Sequence, residues 1–151
     1  MTVRIRLLGA FEVSVDGVTH TEQAWSRRQA ASLVKALALA PRGRLHREQL
    51  IDRLWPHLHP ETAAPRLHKA AHYARRVLGE GSVVLDRETV SLFPEDPPVA
   101  DVHEFTERAT AAVAATDPEL AAEAADLYRG ELLPDDRYVE WLEDERERLT
   151  R

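Results

Sequence analysis

The segment Arg66–Gly79 reads RLHKAAHYARRVLG and gathers the residues with the most chemistry to offer: Arg66, His68, Lys69, His72, Tyr73 and Arg76. Arginine and lysine neutralise phosphate oxygens. Imidazole and phenol groups donate to or accept from base edges. Together they suit the gripping and reading of a nucleic acid. A metal is the competing use, because His68 and His72 are four apart on one helix face and His57 and His59 lie just before them. No carboxylate stands between the helical pair, the chain has no cysteine, and a third ligand is missing, so no metal and no other cofactor is expected. Catalysis has less still to work with. The glycines form neither GxGxxG nor GxxxxGK, and Ser14, Ser26, Ser32, Ser82 and Ser91 stand in no nucleophile–base pattern. No enzyme is expected.

These residues must be presented by a helix. At 100° per residue, Leu67, Ala70, Ala71, Ala74, Val77 and Leu78 occupy an arc of about 120°, and the polar side chains fill the rest. Pro65 is placed in the first turn, giving a helix Pro65–Leu78 capped by Gly79. Within it Arg66, Lys69, His72, Tyr73 and Arg76 lie outermost, and Arg75 points to the flank. A basic amphipathic helix alone is compatible with a merely solvated face, so its setting decides.

That setting begins with VRIRLL (3–8) and FEVSV (11–15), which alternate as half-buried strands do, then a turn at Asp16-Gly17 and a short strand over Val18–Thr21. Ser26-Arg-Arg-Gln29 has the form of a capping box, opening a helix with Ala30, Leu33, Val34 and Leu37 inward, ended by Pro41 and Gly43. HREQLIDRLW (46–55) is a second helix, whose N-terminus and Arg47 suit a phosphate. SVVLDRETVSLF (82–93) reads as two strands turning at Asp86–Glu88. Then PEDPPVAD brings three prolines in eight residues, and 95–100 reads as a linker. Helices are expected over Asp101–Ala115, Asp117–Gly130 and Asp136–Arg151, with Leu127, Tyr128, Leu132, Trp141 and Leu142 as core. The last helix shows no cap and stops mid-pattern, as a piece of a longer protein would.

Charge divides at the same place. Residues 1–94 carry 14 Lys/Arg against 9 Asp/Glu, net +5, and residues 95–151 carry 6 against 17, net −11. A half that faces a polyanion is joined to an acidic half with another task. No run of about 18 apolar residues offers a membrane span. The N-terminus lacks the apolar stretch and cleavage site of a signal peptide, and the absence of cysteine makes a cytoplasmic location the default.

Three helices followed by a hairpin form the winged-helix variant of helix-turn-helix, and a leading sheet marks the OmpR-like subclass. LLGAFEVSVDG, REQLIDRLWP, ARRVLG, YRGELLPDD and WLEDERERL, in that order, resemble the Streptomyces antibiotic regulatory protein family of transcriptional activators. The resemblance covers nearly the whole chain. It implies an α+β fold: an OmpR-like winged helix-turn-helix over 1–94, the linker 95–100, and over 101–151 the start of an all-α, tetratricopeptide-like bacterial transcriptional activator domain. It further implies that the third helix enters the major groove of double-stranded DNA, that the wing reaches the neighbouring backbone or minor groove, where Arg87 is the residue of an otherwise acidic tip able to meet DNA, that head-to-tail homodimers sit on direct repeats, and that RNA polymerase and its sigma factor are contacted. Where relatives carry amide or hydroxyl residues in the reading helix, this chain has His68, Lys69, His72 and Tyr73. The alternative is a helical protein-interaction or sensor module whose winged helix docks partners rather than DNA.

Overall fold

The computed structural model describes residues 2–136 and 140–150. The chain opens with β1 (Val3–Arg6), β2 (Glu12–Val15) and β3 (Val18–Thr21), joined as antiparallel neighbours with Arg4 opposite Ser14 and Ser14 opposite Thr19. The turn at Asp16-Gly17 uses positive φ at both residues, 48° and 87°, which is the hairpin geometry that Asp-Gly favours. The expected strand 3–8 stops at Arg6 because the next two residues bond to the C-terminal half of the chain. The N–H groups of Leu7 and Leu8 donate to the two carboxylate oxygens of Asp101 at 2.8 and 3.1 Å, and the Leu7 carbonyl accepts from Leu133 N–H at 2.9 Å.

Three helices follow: α1 (Arg28–Leu39), α2 (Arg47–Leu54) and α3 (Pro60–Leu78). The capping box expected at Ser26 does not form. Arg27 is the N-cap, without a side-chain cap, and its carbonyl accepts from Ala30 and Ala31, so Ser26 lies outside the helix. The start of α3 is a second correction. It begins at Pro60, not Pro65, with His59 as N-cap accepting from Glu61 N–H at 3.3 Å. Pro60 takes the N1 position, where a missing N–H costs nothing. Pro65 sits inside the helix, where it forfeits the bond to the Glu61 carbonyl. Leu33, Leu37, Leu50 and Leu67 are completely buried where these helices meet, each contributing about 1.5–3 kcal/mol.

A second sheet pairs β4 (Arg44–His46), β5 (Val83–Leu85) and β6 (Thr89–Leu92) in the order β4-β6-β5. The hairpin β5–β6 was legible. Strand β4 was not, and it clamps the wing to the start of α2.

The segment 95–100 is not purely a linker. Val99–Ala100 forms β7, parallel to β1, so the first sheet runs β3-β2-β1-β7. From β7 the chain enters α4 (Asp101–Ala115) directly, then α5 (Pro118–Leu127) and α6 (Glu140–Thr150). Thr116, in the left-handed region at φ 53°, and Asp117 alone connect α4 to α5, which therefore pack as a helical hairpin. The helix expected to reach Gly130 ends at Leu127. Of the helix expected over Asp136–Arg151, Asp136 closes a 3-10 turn, while residues 137–139 and Arg151 lie outside the described residues.

The two halves share one core. Leu132, Leu133 and Leu142 are buried in the same cluster as Leu7, Leu8 and Phe11. Gly9 N–H donates to the Glu131 carbonyl at 3.0 Å, and Arg146 donates to the carbonyls of Leu132, Leu133 and Asp136 at 2.8–3.0 Å. Lys35, on the buried side of α1, reaches Glu22 at 2.6 Å and Asp136 at 2.7 Å.

Candidate nucleic-acid interface

Helix α3 buries Ala63, Leu67, Ala70, Ala71, Ala74 and Leu78, and leaves Arg66, His68, Lys69, His72 and Arg76 exposed. The stripe anchors the helix on α1, so the opposite face is held rigidly toward solvent. Arg66 and Lys69 make no hydrogen bond or ion pair with any described residue. Their charges are unspent. At 1.5 Å per residue the 19-residue helix is about 28 Å long, and a major groove admits a helix of this kind.

The remaining expected site residues do more structural work. Tyr73 is half-buried, with its hydroxyl accepting from Arg27 at 3.3 Å and the Arg27 guanidinium 4.6 Å from its ring centroid. Arg76 approaches the same ring at 6.0 Å, and His72 lies edge-on to it at 5.3 Å. Arg47 is half-buried at the start of α2. Its guanidinium donates to the Asp86 carbonyl at 3.3 Å and faces His68 Nε2 at 3.4 Å, while its N–H donates to the Glu88 carbonyl at 2.8 Å. Arginine only donates, so in this contact Nε2 is the acceptor. Arg47 thereby ties α2, α3 and the wing tip into one unit. Arg87 is exposed at that tip with its side chain free, and Arg75 donates through Nε to the Val83 carbonyl at 2.8 Å, fixing the wing to α3.

Sequence reasoning passed over Arg27 and Arg28. Both are exposed at the N-terminus of α1, and with Lys69 and Tyr73 they line a groove of about 320 Å³ beside α3. The first turn of α1 holds no acidic residue, so no carboxylate within it offsets the positive dipole end beside Arg27 and Arg28. An anion would relieve that arrangement. The missed signal was two arginines where helices ordinarily begin with Asp or Glu.

Among the described residues no three His, Asp or Glu side chains converge as a metal set, and no helix is long and apolar enough to cross a membrane. Next to α3 the sheet β4-β6-β5 supplies a wing, so the order helix–helix–helix–hairpin has the form of a winged helix. No protein-family model matches the sequence, and no curated protein matches it. Among solved structures, Mycobacterium tuberculosis EmbR in complex with a low affinity phosphopeptide superposes on 98% of this chain with a TM-score of 0.73 at 23% identity. The fold is shared with EmbR. This chain spans 41% of the length of that structure, and the likeness takes in both its winged-helix-like part and the helices after it.

Proposed function

We propose that this chain is a sequence-specific DNA-binding transcriptional activator that lays α3 in the major groove. The observation that carries the reading is the exposed face of α3, where Arg66 and Lys69 have no partner among the described residues and Arg76 adds a third cation, flanked by the wing on one side and Arg27 and Arg28 on the other. Phosphates are met by Arg66, Lys69, Arg76 and, at the wing tip, Arg87. His68, His72 and the rim of Tyr73 face base edges. Arg47 acts mainly by holding wing and helix together, with its free donor capacity turned to the backbone.

Residues 101–151 form the start of the activator part, and their net charge of −9 keeps them off the duplex. Recruitment of RNA polymerase and its sigma factor, and head-to-tail pairing on direct repeats, follow from the resemblance of the sequence motifs to the Streptomyces antibiotic regulatory proteins. The phosphopeptide belongs to EmbR, whose chain is much longer, and no phosphopeptide role is carried over.

Selection of bound duplexes from a random pool tests the proposal. A motif should emerge, and if the dimer reading holds it should recur as a direct repeat with centres about 10–10.5 bp, or a multiple, apart. Recovery of unrelated sequences after repeated rounds would favour a winged helix that docks proteins instead.

A further inference from the structure

A second concave surface lies at the seam between the winged-helix part and the C-terminal segment. It is a cleft of about 620 Å³, within the range of small-molecule sites, and its wall is built from one face of α1, the end of α2 with the turn after it, and Asp136, Trp141 and Leu142. Arg28 and Ser32 from α1 and Asp52 and His57 from α2 and its turn all line it. None of these four side chains has a hydrogen bond or ion pair with any described residue. Arg53 lines it too; its side chain has no hydrogen bond or ion pair with any described residue, and its guanidinium lies 5.9 Å from the ring centroid of half-buried Trp141.

We infer that this cleft binds a small aromatic anion carrying a hydrogen-bond donor. The charge balance points that way. Lys35, itself on the wall, is engaged by Glu22 and Asp136, and its single charge offsets only one of those carboxylates. Among the charged residues that line the cleft, Arg28, Lys35 and Arg53 stand against Asp52 and Asp136, one positive charge in excess beside an indole face. A ligand carboxylate takes Arg28 and Arg53 in charge-assisted hydrogen bonds, its flat ring lies along Trp141 over the apolar floor of Trp55 and Leu142, and Asp52 accepts from a ligand hydroxyl. Sequence reading took Trp141 and Leu142 only as core. The structure leaves the Trp141 ring half-open on a cleft. Arg28 also lines the groove beside α3, so occupancy draws one cation away from the DNA-facing side. That last clause rests on the DNA-binding reading, whereas the site itself does not.

Calorimetry on the DNA-free chain with 6-hydroxy-2-naphthoate as the probe decides it. One probe should bind per chain, and Arg28→Ala and Arg53→Ala should each weaken it about tenfold, as loss of a hydrogen bond to a charged group does. The neutral 2-naphthol should bind at least about tenfold more weakly. Trp141→Leu should remove the ring contact, and because Trp141 also packs on the core, the variants at exposed Arg28 and half-buried Arg53 keep the test decisive should that variant unfold. No heat at millimolar probe, equal affinity for 2-naphthol, or affinity unchanged in both arginine variants overturns the proposal.

Discussion

Lys35→Met removes the charge that joins the two halves of the molecule while keeping the length of the side chain. Lys35 is 4% exposed, with Nζ 2.6 Å from Glu22 and 2.7 Å from Asp136 and 4.9 Å from the centroid of Phe11. Without the ammonium, two carboxylates face each other with no cation between them. Breaking a fully buried ion pair costs about 3–5 kcal/mol. The Glu22 side chain is 34% exposed and can turn to water, while Asp136 at 16% cannot do so freely, so about 2–3 kcal/mol is expected. Urea unfolding followed by circular dichroism measures this as a lower midpoint at unchanged slope. For a chain of this size the melting temperature should fall by roughly 5–10 °C. Because most of the loss comes from stranded carboxylates, the triple variant Lys35→Met, Glu22→Gln, Asp136→Asn should recover more than half of it. A single-variant loss below about 1 kcal/mol, or a triple variant no better than the single one, would refute the reasoning.

Asp101→Asn leaves one oxygen where Leu7 and Leu8 need two, and should cost about 1–3 kcal/mol near neutral pH by urea titration. Burial pushes the Asp101 carboxyl above its ordinary 3.8, against the opposing pull of the Leu7, Leu8 and Val102 N–H groups and the Arg6 charge. The folded protein then holds the proton more tightly than the unfolded chain, so this linked stability is present below pH 3.8 and is lost as pH rises through the folded value. The gap between wild type and Asp101→Asn should narrow over that window, and a widening gap would contradict burial as the dominant cause. Gly130→Ala places a Cβ 3.1 Å from Gly9 Cα, backbone against backbone, and should cost about 1–3 kcal/mol in thermal or urea unfolding; no measurable loss would mean that the seam is looser than described. Arg28→Ala should lower the logarithmic salt slope of DNA binding by about 1 without altering the selected motif.

The apolar stripe of α3 was legible because Leu67, Ala70, Ala71, Ala74 and Leu78 repeat at helical spacing, and the Asp16-Gly17 turn because few residues accept its positive φ. Its first turn was misplaced because two prolines five apart both suit a helix start, and only His59 accepting from Glu61 identifies the working one. Strand β4 escaped because three residues, of which only Leu45 is buried, carry too little alternation to register. Strand β7 escaped because Pro97 and Pro98 immediately precede it, and its ladder partner β1 is some 95 residues away in the chain. Distance along the chain hides the seam generally. Nothing local to Asp101, Lys35 or Gly130 announces Leu7, Asp136 or Gly9. In the candidate interface the free cations Arg66 and Lys69 followed from periodicity alone, whereas the engagement of Arg47 by Asp86 and His68, and of Tyr73 by Arg27, depends on how three helices and a hairpin meet.

The central claim is that the exposed face of α3 grips DNA phosphates, and the salt dependence of binding to the selected site tests it most directly. Wild-type affinity should fall steeply with salt, by about 0.9 logarithmic units per neutralised phosphate, and Arg66→Ala, Lys69→Ala, Arg76→Ala combined should reduce that slope by about 2–3 and abolish most binding. All three side chains are exposed, and circular dichroism should show the triple variant folded. A folded triple variant that binds the site with wild-type affinity and an unchanged slope would contradict the account.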